Sequence, residues 1–190
     1  MSSLSPHIAN LAFILSLMSI TAIFGLSIAS LRIKSLTFFP PPSKQSWQSK
    51  VFLALFRGFL YPLIGLSLFL FLSFETPRHV PRLFVGSGLL LTGLGLAFSI
   101  TFKMGWRTAF GDNGGLVTTG WFQYSRNPVY VATWAAMIGW AILVPDWKIW
   151  GLLLLWASLY LFAPLFEEPW LEAHYGDAYA NYKNTVPRFF

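Results

Sequence analysis

Five apolar segments, at 8–31, 51–74, 83–102, 128–144 and 147–166, constrain this chain more than anything else in it. Each approaches the length at which a helix crosses a bilayer, about 20 residues. Inside hydrocarbon, backbone N–H and C=O groups must find partners within the segment, and a helix is the simplest way to do so. The expected fold is therefore an all-α integral membrane protein with five transmembrane helices. Composition agrees, since 55% of the 190 residues are hydrophobic and 11% charged, with 19 Phe and 9 Trp. A soluble domain of this length has no need of so much apolar surface. The fourth segment is short, and Pro145-Asp146 joins it to the fifth. So tight a connection predicts a helical hairpin, with Pro145 stopping one helix and Asp146 capping the next.

The formal charge of +6 would point to nucleic acid in a soluble protein. Here the basic residues cluster between apolar segments, so the bilayer is the expected partner and nucleic acid is not. Arg32, Lys34, Lys44, Lys50, Lys103, Arg107, Arg126, Lys183 and Arg188 fall on one side, nine residues against Arg78, Arg82 and Lys148 on the other. Arg57 lies within the second segment. This asymmetry predicts a multi-pass protein with the N-terminus outside and the C-terminal region in the cytoplasm. The first segment lacks a basic flank and is longer than a signal peptide's apolar core, so it reads as a retained helix. With no Cys and three scattered His, no metal site is expected.

The chain reads as one membrane domain over 1–190, with three helices in 8–102 and the polar motifs in 103–190. Phe39-Pro40-Pro41-Pro42-Ser43 makes a stiff connection after the first helix. The third segment holds Gly86, Gly88, Gly93, Gly95, Ala97 and Ser99. Small residues allow close helix approach, which suggests a central place in the bundle or a seam between copies.

The loop at 103–127 carries Gly111, Gly114 and Gly115. These glycines permit either a simple turn or a backbone that offers its amides to a ligand. Asn127-Pro128 is a good helix start, and a helix start is also a good seat for a carboxylate, with Arg126 reinforcing the field. Glu167-Glu168 follows Pro164 at the end of the fifth segment. The pair is either solvated at the membrane surface or part of a site, and carboxylates at a helix C-terminus oppose its dipole unless Pro169 starts a new helix. Leu171, Tyr175, Tyr179 and Tyr182 recur at helical spacing, as a headgroup-level aromatic belt or as the lining of a substrate entrance. His174 reads as a surface residue, and no residue stands out as a catalytic nucleophile.

The order of these motifs resembles the isoprenylcysteine carboxyl methyltransferase family of membrane enzymes. Leu-Val-x-x-Gly, Arg-Asn-Pro-x-Tyr, a helical hairpin, Glu-Glu, Gly-x-x-Tyr-x-x-Tyr and Val-Pro-Arg appear from about Met104 to Phe190 in family order. The resemblance implies an S-adenosylmethionine-dependent methyltransferase acting on a lipophilic acceptor. It makes 103–190 the cofactor-binding region, at the cytoplasmic face. Carried over by position, cofactor contacts fall on Arg107, Gly114, Gly115, Leu116, Val117, Phe122, Arg126, Asn127, Pro128, Val129, Tyr130, Glu167 and Glu168. Glu167 would hold the cofactor's α-ammonium group. Tyr179, Tyr182 and Arg188 are the substrate candidates.

Three positions depart from the family pattern. Asn127 replaces the usual His, and Phe122 replaces a Tyr. Ala163 stands where an arginine faces the prenylcysteine carboxylate, so free prenylcysteine is expected to be a poor substrate, improved by Ala163→Arg. The alternatives are a non-enzymatic membrane scaffold of the same fold and an NADPH-binding protein of the sterol-reductase type.

Overall fold

The apolar segments do form helices, and most of the helices run past their apolar cores. The computed structural model describes residues 4–33, 36, 38–39, 41, 43, 45–73, 80–105 and 115–190. Among these residues are six α-helices and no strand: α1 (Leu4–Arg32), α2 (Trp47–Ser73), α3 (Val80–Met104), α4 (Pro128–Leu143), α5 (Trp147–Tyr175) and α6 (Asp177–Thr185). A 3₁₀ turn at Gly120–Gln123 precedes α4.

Four helices, α1, α2, α3 and α5, are long and apolar enough to cross a membrane. The fourth segment is not. As α4 it has 16 residues, about 24 Å at 1.5 Å per residue, against a hydrocarbon core of about 30 Å. Five crossings therefore do not follow from helix length alone. The stop and start signals around Pro145 act as expected. The Val144 amide closes α4 on Trp140 O at 3.0 Å, and Asp146 Oδ1 accepts from the Lys148 amide at 2.8 Å. That bond satisfies one of the free donors at the head of α5.

The second difference concerns α5. The sequence places its end near Phe166, with Glu167-Glu168 opening a polar tail. It continues as one helix through Pro164 and Pro169 to Tyr175. The break comes at Gly176, whose φ of 52° suits a residue without a Cβ. The two carboxylates thus sit inside a helix, and one of its faces carries them.

Packing places α5 in the middle. It touches α1, α2, α4 and α6, whereas α1 packs chiefly on α2, and α3 on α4. Ile20, Ile23, Phe59, Leu63, Leu66, Ile149 and Leu152, from α1, α2 and α5, are fully buried together. Ser16 Oγ donates to Phe59 O at 3.0 Å within that core. Two indoles tie α4 to α5, Trp134 Nε1 donating to Ala157 O and Trp150 Nε1 to Ala141 O.

The third segment is at the edge of the bundle rather than central. Its glycines do serve packing, but only some of them. A Cβ on Gly93 would lie 2.4 Å from Ala136 N, and one on Gly139 of α4 would lie 2.4 Å from Leu90 N. The α3 and α4 backbones therefore touch through these positions, with Gly86 against Leu143. Gly88 and Gly95 meet nothing within 4 Å. Met104 is the last residue of α3, and Gly105 follows with φ of 93°.

Candidate active site

Because α5 stays helical through the Glu pair, residues 160, 164, 167, 168, 171 and 175 share one of its faces, at three- and four-residue steps. That face looks onto the start of α4, the end of α3 and helix α6. Between them lies a cavity of about 450 Å³, within the usual size range of small-molecule sites.

Most of the residues expected from the sequence meet at this cavity. Gly115, Leu116, Val117, Phe122, Arg126, Asn127, Pro128, Val129, Tyr130, Glu167, Glu168, Tyr179 and Tyr182 all line it. Arg107 and Gly114, with Gly111, lie outside the described residues. Arg188 is not on the cavity wall; it sits behind Glu168. Ala163 is 1% exposed and does not line the cavity. The position expected to face an acceptor carboxylate therefore faces packed protein. Thr101, Met104, Tyr160, Pro164, Trp170, Leu171 and Tyr175 complete the wall. Of these, only Leu171 and Tyr175 had been singled out, as belt or entrance residues. Tyr160, Pro164 and Trp170 could have been found by extending the helical period back and forward from Glu167. Thr101 and Met104 carried no such signal.

The two glutamates have opposite surroundings. Glu168 is buried and bridges two guanidiniums. Arg188 donates from Nε to Oε1 at 2.9 Å and from Nη2 to Oε2 at 2.8 Å. Arg126 Nη1 approaches Oε1 at 3.1 Å, with both side chains of that pair at least nine-tenths buried. Two cations and one anion leave this cluster with a net positive charge. Burying such a group without full pairing is costly, and the forked contact with Arg188 offsets much of the cost. Arg126 Nη1 also donates to Tyr179 Oη at 3.4 Å, whereas its Nε is buried with no partner among the described residues.

Glu167, one residue earlier, has no basic partner among the described residues. Its contact is the Tyr130 hydroxyl, which donates to Oε1 at 2.6 Å. Tyr130 in turn stacks on Tyr160, with ring centroids 4.5 Å apart. The cavity is thus lined by a carboxylate with no basic partner among the described residues and by a guanidinium that one contact ties to Glu168.

Helix α6 contributes Tyr179 and Tyr182 to the cavity wall. Tyr179 and Tyr182 are buried, so they are not part of an aromatic belt exposed at the headgroups. Tyr182 Oη donates to Phe122 O at 2.7 Å. Burial pushes the Tyr182 phenol up to about 12. Burial first, then the nearby Glu168 charge, raises Tyr179. Both phenols stay protonated at neutral pH, so Tyr182 remains a donor.

The start of α4 departs from the expected cap. Asn127 occupies the cap position, and its carbonyl accepts from the Tyr130 and Val131 amides, but its side chain makes no capping bond. Instead Asn127 Nδ2 donates to Arg188 O at 3.0 Å. The Arg126 amide donates to Pro187 O at 3.0 Å, and Ser125 Oγ donates to Arg188 O at 3.3 Å. Phe189 packs on Trp134, with ring centroids 4.9 Å apart. Residues 187–189 are therefore clasped to the head of α4 by backbone, carboxamide and ring contacts.

A comparison with known protein families gives a match over residues 81–178 to the model described as phospholipid methyltransferase. No curated protein and no solved structure matches the chain. The matched stretch covers more than half of the sequence and runs from α3 through most of the cavity wall to α6. The chain belongs to the phospholipid methyltransferase family, part of the group of membrane methyltransferases that its motifs resemble.

Proposed function

We propose that this protein is an S-adenosylmethionine-dependent methyltransferase acting on a lipophilic acceptor at a membrane. The observation that carries this reading is Glu167, a cavity-lining carboxylate with no basic partner among the described residues, on the same cavity wall as the Arg126 guanidinium. The amino-acid end of the cofactor bears an ammonium and a carboxylate. Glu167 would hold the first and Arg126 the second, through charge-assisted hydrogen bonds. The wall around them is largely aromatic, with Phe122, Tyr130, Tyr160, Trp170 and Tyr175. Aromatic faces suit a sulfonium or ammonium cation.

When bound, the cofactor supplies a methyl group on a positively charged sulfur. The protein's task is then to order donor and acceptor in line and to keep competing water away. No described side chain is required as a nucleophile. An acceptor with a free carboxylate would find no further basic group on the described cavity wall, because Arg126 is taken by the cofactor's carboxylate and Arg188 is held on Glu168 behind that wall. The family's description as phospholipid methyltransferases fits an acceptor whose head group is an amine rather than a carboxylate. In the bilayer, α4 and α5 form the last two of five crossings as a hairpin, with the cavity on the cytoplasmic side.

Titration of the purified protein with S-adenosylhomocysteine and NADPH in parallel tests this reading. The expected result is binding of the first only. Glu167→Gln should weaken it by roughly 10–150-fold, the equivalent of about 1.5–3 kcal/mol for a hydrogen bond to a charged group. Binding of NADPH alone would replace the methyltransferase reading by a reductase one, and unchanged affinity in Glu167→Gln would remove Glu167 from the site.

A further inference from the structure

Arg126 is held at its backbone by Pro187 and at its side chain by Glu168, which Arg188, the residue after Pro187, holds in turn. At its backbone, the amide donates to Pro187 O at 3.0 Å. At its side chain, Nη1 meets Glu168 Oε1 at 3.1 Å, and that carboxylate is itself fixed by the two-pronged contact from Arg188. Arg188 also receives Asn127 Nδ2 on its carbonyl at 3.0 Å. A single ion pair leaves a carboxylate free to turn about its last bond. A forked guanidinium contact removes that freedom, because two parallel donors define the carboxylate plane. With Glu168 so fixed, Nη1 of Arg126 is set between Glu168 and Tyr179, and the guanidinium is held where the side chain lines the cavity.

We propose that Arg188 is a positioning residue, which through Glu168 fixes the Arg126 guanidinium for the carboxylate end of the bound ligand. It is not a contact for the acceptor. This inference rests on the cofactor reading above and adds to it the residue on which the geometry of the anion-binding half depends. Lysine cannot substitute, since its single ammonium has no fork.

The test compares two ligands that differ only at the relevant end. S-Adenosylhomocysteine carries the amino-acid group, and 5′-methylthioadenosine lacks it. In Arg188→Ala and Arg188→Lys, affinity for S-adenosylhomocysteine is expected to fall by about tenfold or more, while affinity for 5′-methylthioadenosine stays within about twofold. A second readout needs no ligand. Labelling with phenylglyoxal, followed by mass spectrometry, should find Arg126 protected in the wild type and modified in both variants. Equal loss of both ligands would make Arg188 structural only. Unchanged binding of both, with a raised KM for the acceptor, would make it a substrate contact. Either outcome overturns the proposal, as does Arg126 staying protected in the variants. Should the wild type bind neither ligand, the cofactor reading fails, and the labelling arm still decides whether Arg188 positions Arg126.

Discussion

Glu167 and Glu168 are neighbours in sequence, yet one is neutralised by two guanidiniums and the other is left with a single phenol. Both line the cavity, but successive residues on a helix point about 100° apart, which is enough to bring one against the two guanidiniums and the other against Tyr130. Their substitutions should differ accordingly. Glu167→Gln should act on ligand affinity with little effect on stability, since it is half-buried and has no ionic partner to strand. Glu168→Gln strands two cations and should lower stability by about 3–5 kcal/mol, read as thermal unfolding in detergent. Equal stabilities would mean that the two carboxylates are not distinguished as the contacts suggest. Ala163 offers a further test. Its sequence position suggested that an arginine there would improve prenylcysteine use, but its side chain is buried in protein. Ala163→Arg should instead cost stability, about 1–3 kcal/mol from overpacking alone, and leave turnover of a farnesylcysteine analogue no better. Improved turnover from a stable variant would show that the side chain does reach the cavity. The motif residues were legible because they lie in short, punctuated stretches. The partners of Glu168 were not, since Arg188 is 20 residues away and nothing local fixes its direction.

Among the elements, the contact of α3 with α4 has the most specific requirements. Gly93 and Gly139 are needed where they stand, with added Cβ atoms 2.4 Å from backbone nitrogens, whereas Gly88 and Gly95 face open space. Gly93→Ala or Gly139→Ala should therefore push the two helices apart and lower stability by at least about 1–3 kcal/mol. Gly88→Ala and Gly95→Ala should change it by less than about 0.5 kcal/mol. Comparable losses at all four positions would argue that Gly88 and Gly95 are covered by a second copy. Sequence reading found the small residues but not which of them count. Helices that are apolar all round carry no polar face to mark the outside, so the buried side could not be read from periodicity. The same weakness explains the misplaced end of α5. Pro169 reads as a helix start, yet it lies with Pro164 inside one helix. By contrast, the Asp146 cap depends on a local side-chain rule and appeared where expected.

At the scale of the whole molecule, the topology turns on the short helix α4. If it crosses the bilayer with α5, there are five crossings and the two ends of the chain lie on opposite sides. The excess of nine Lys and Arg over three then places the N-terminus outside. Reporter fusions at Ser2 and Phe190 should localise to opposite sides, and localisation to the same side would leave four crossings with α4 not traversing. Even so, the general architecture was largely written in the apolar segments, while the cavity was not, because it depends on contacts across the fold. One of those contacts has a bearing on how the protein comes to be made. Asn127 and Arg188 are separated by 61 positions in the chain, and all the apolar helices precede the second of them. During synthesis from the N-terminus, α1 to α5 have emerged before the clasp on Arg126 can close. The cavity's last fastening therefore arrives after α1 to α5, with residues 187–189.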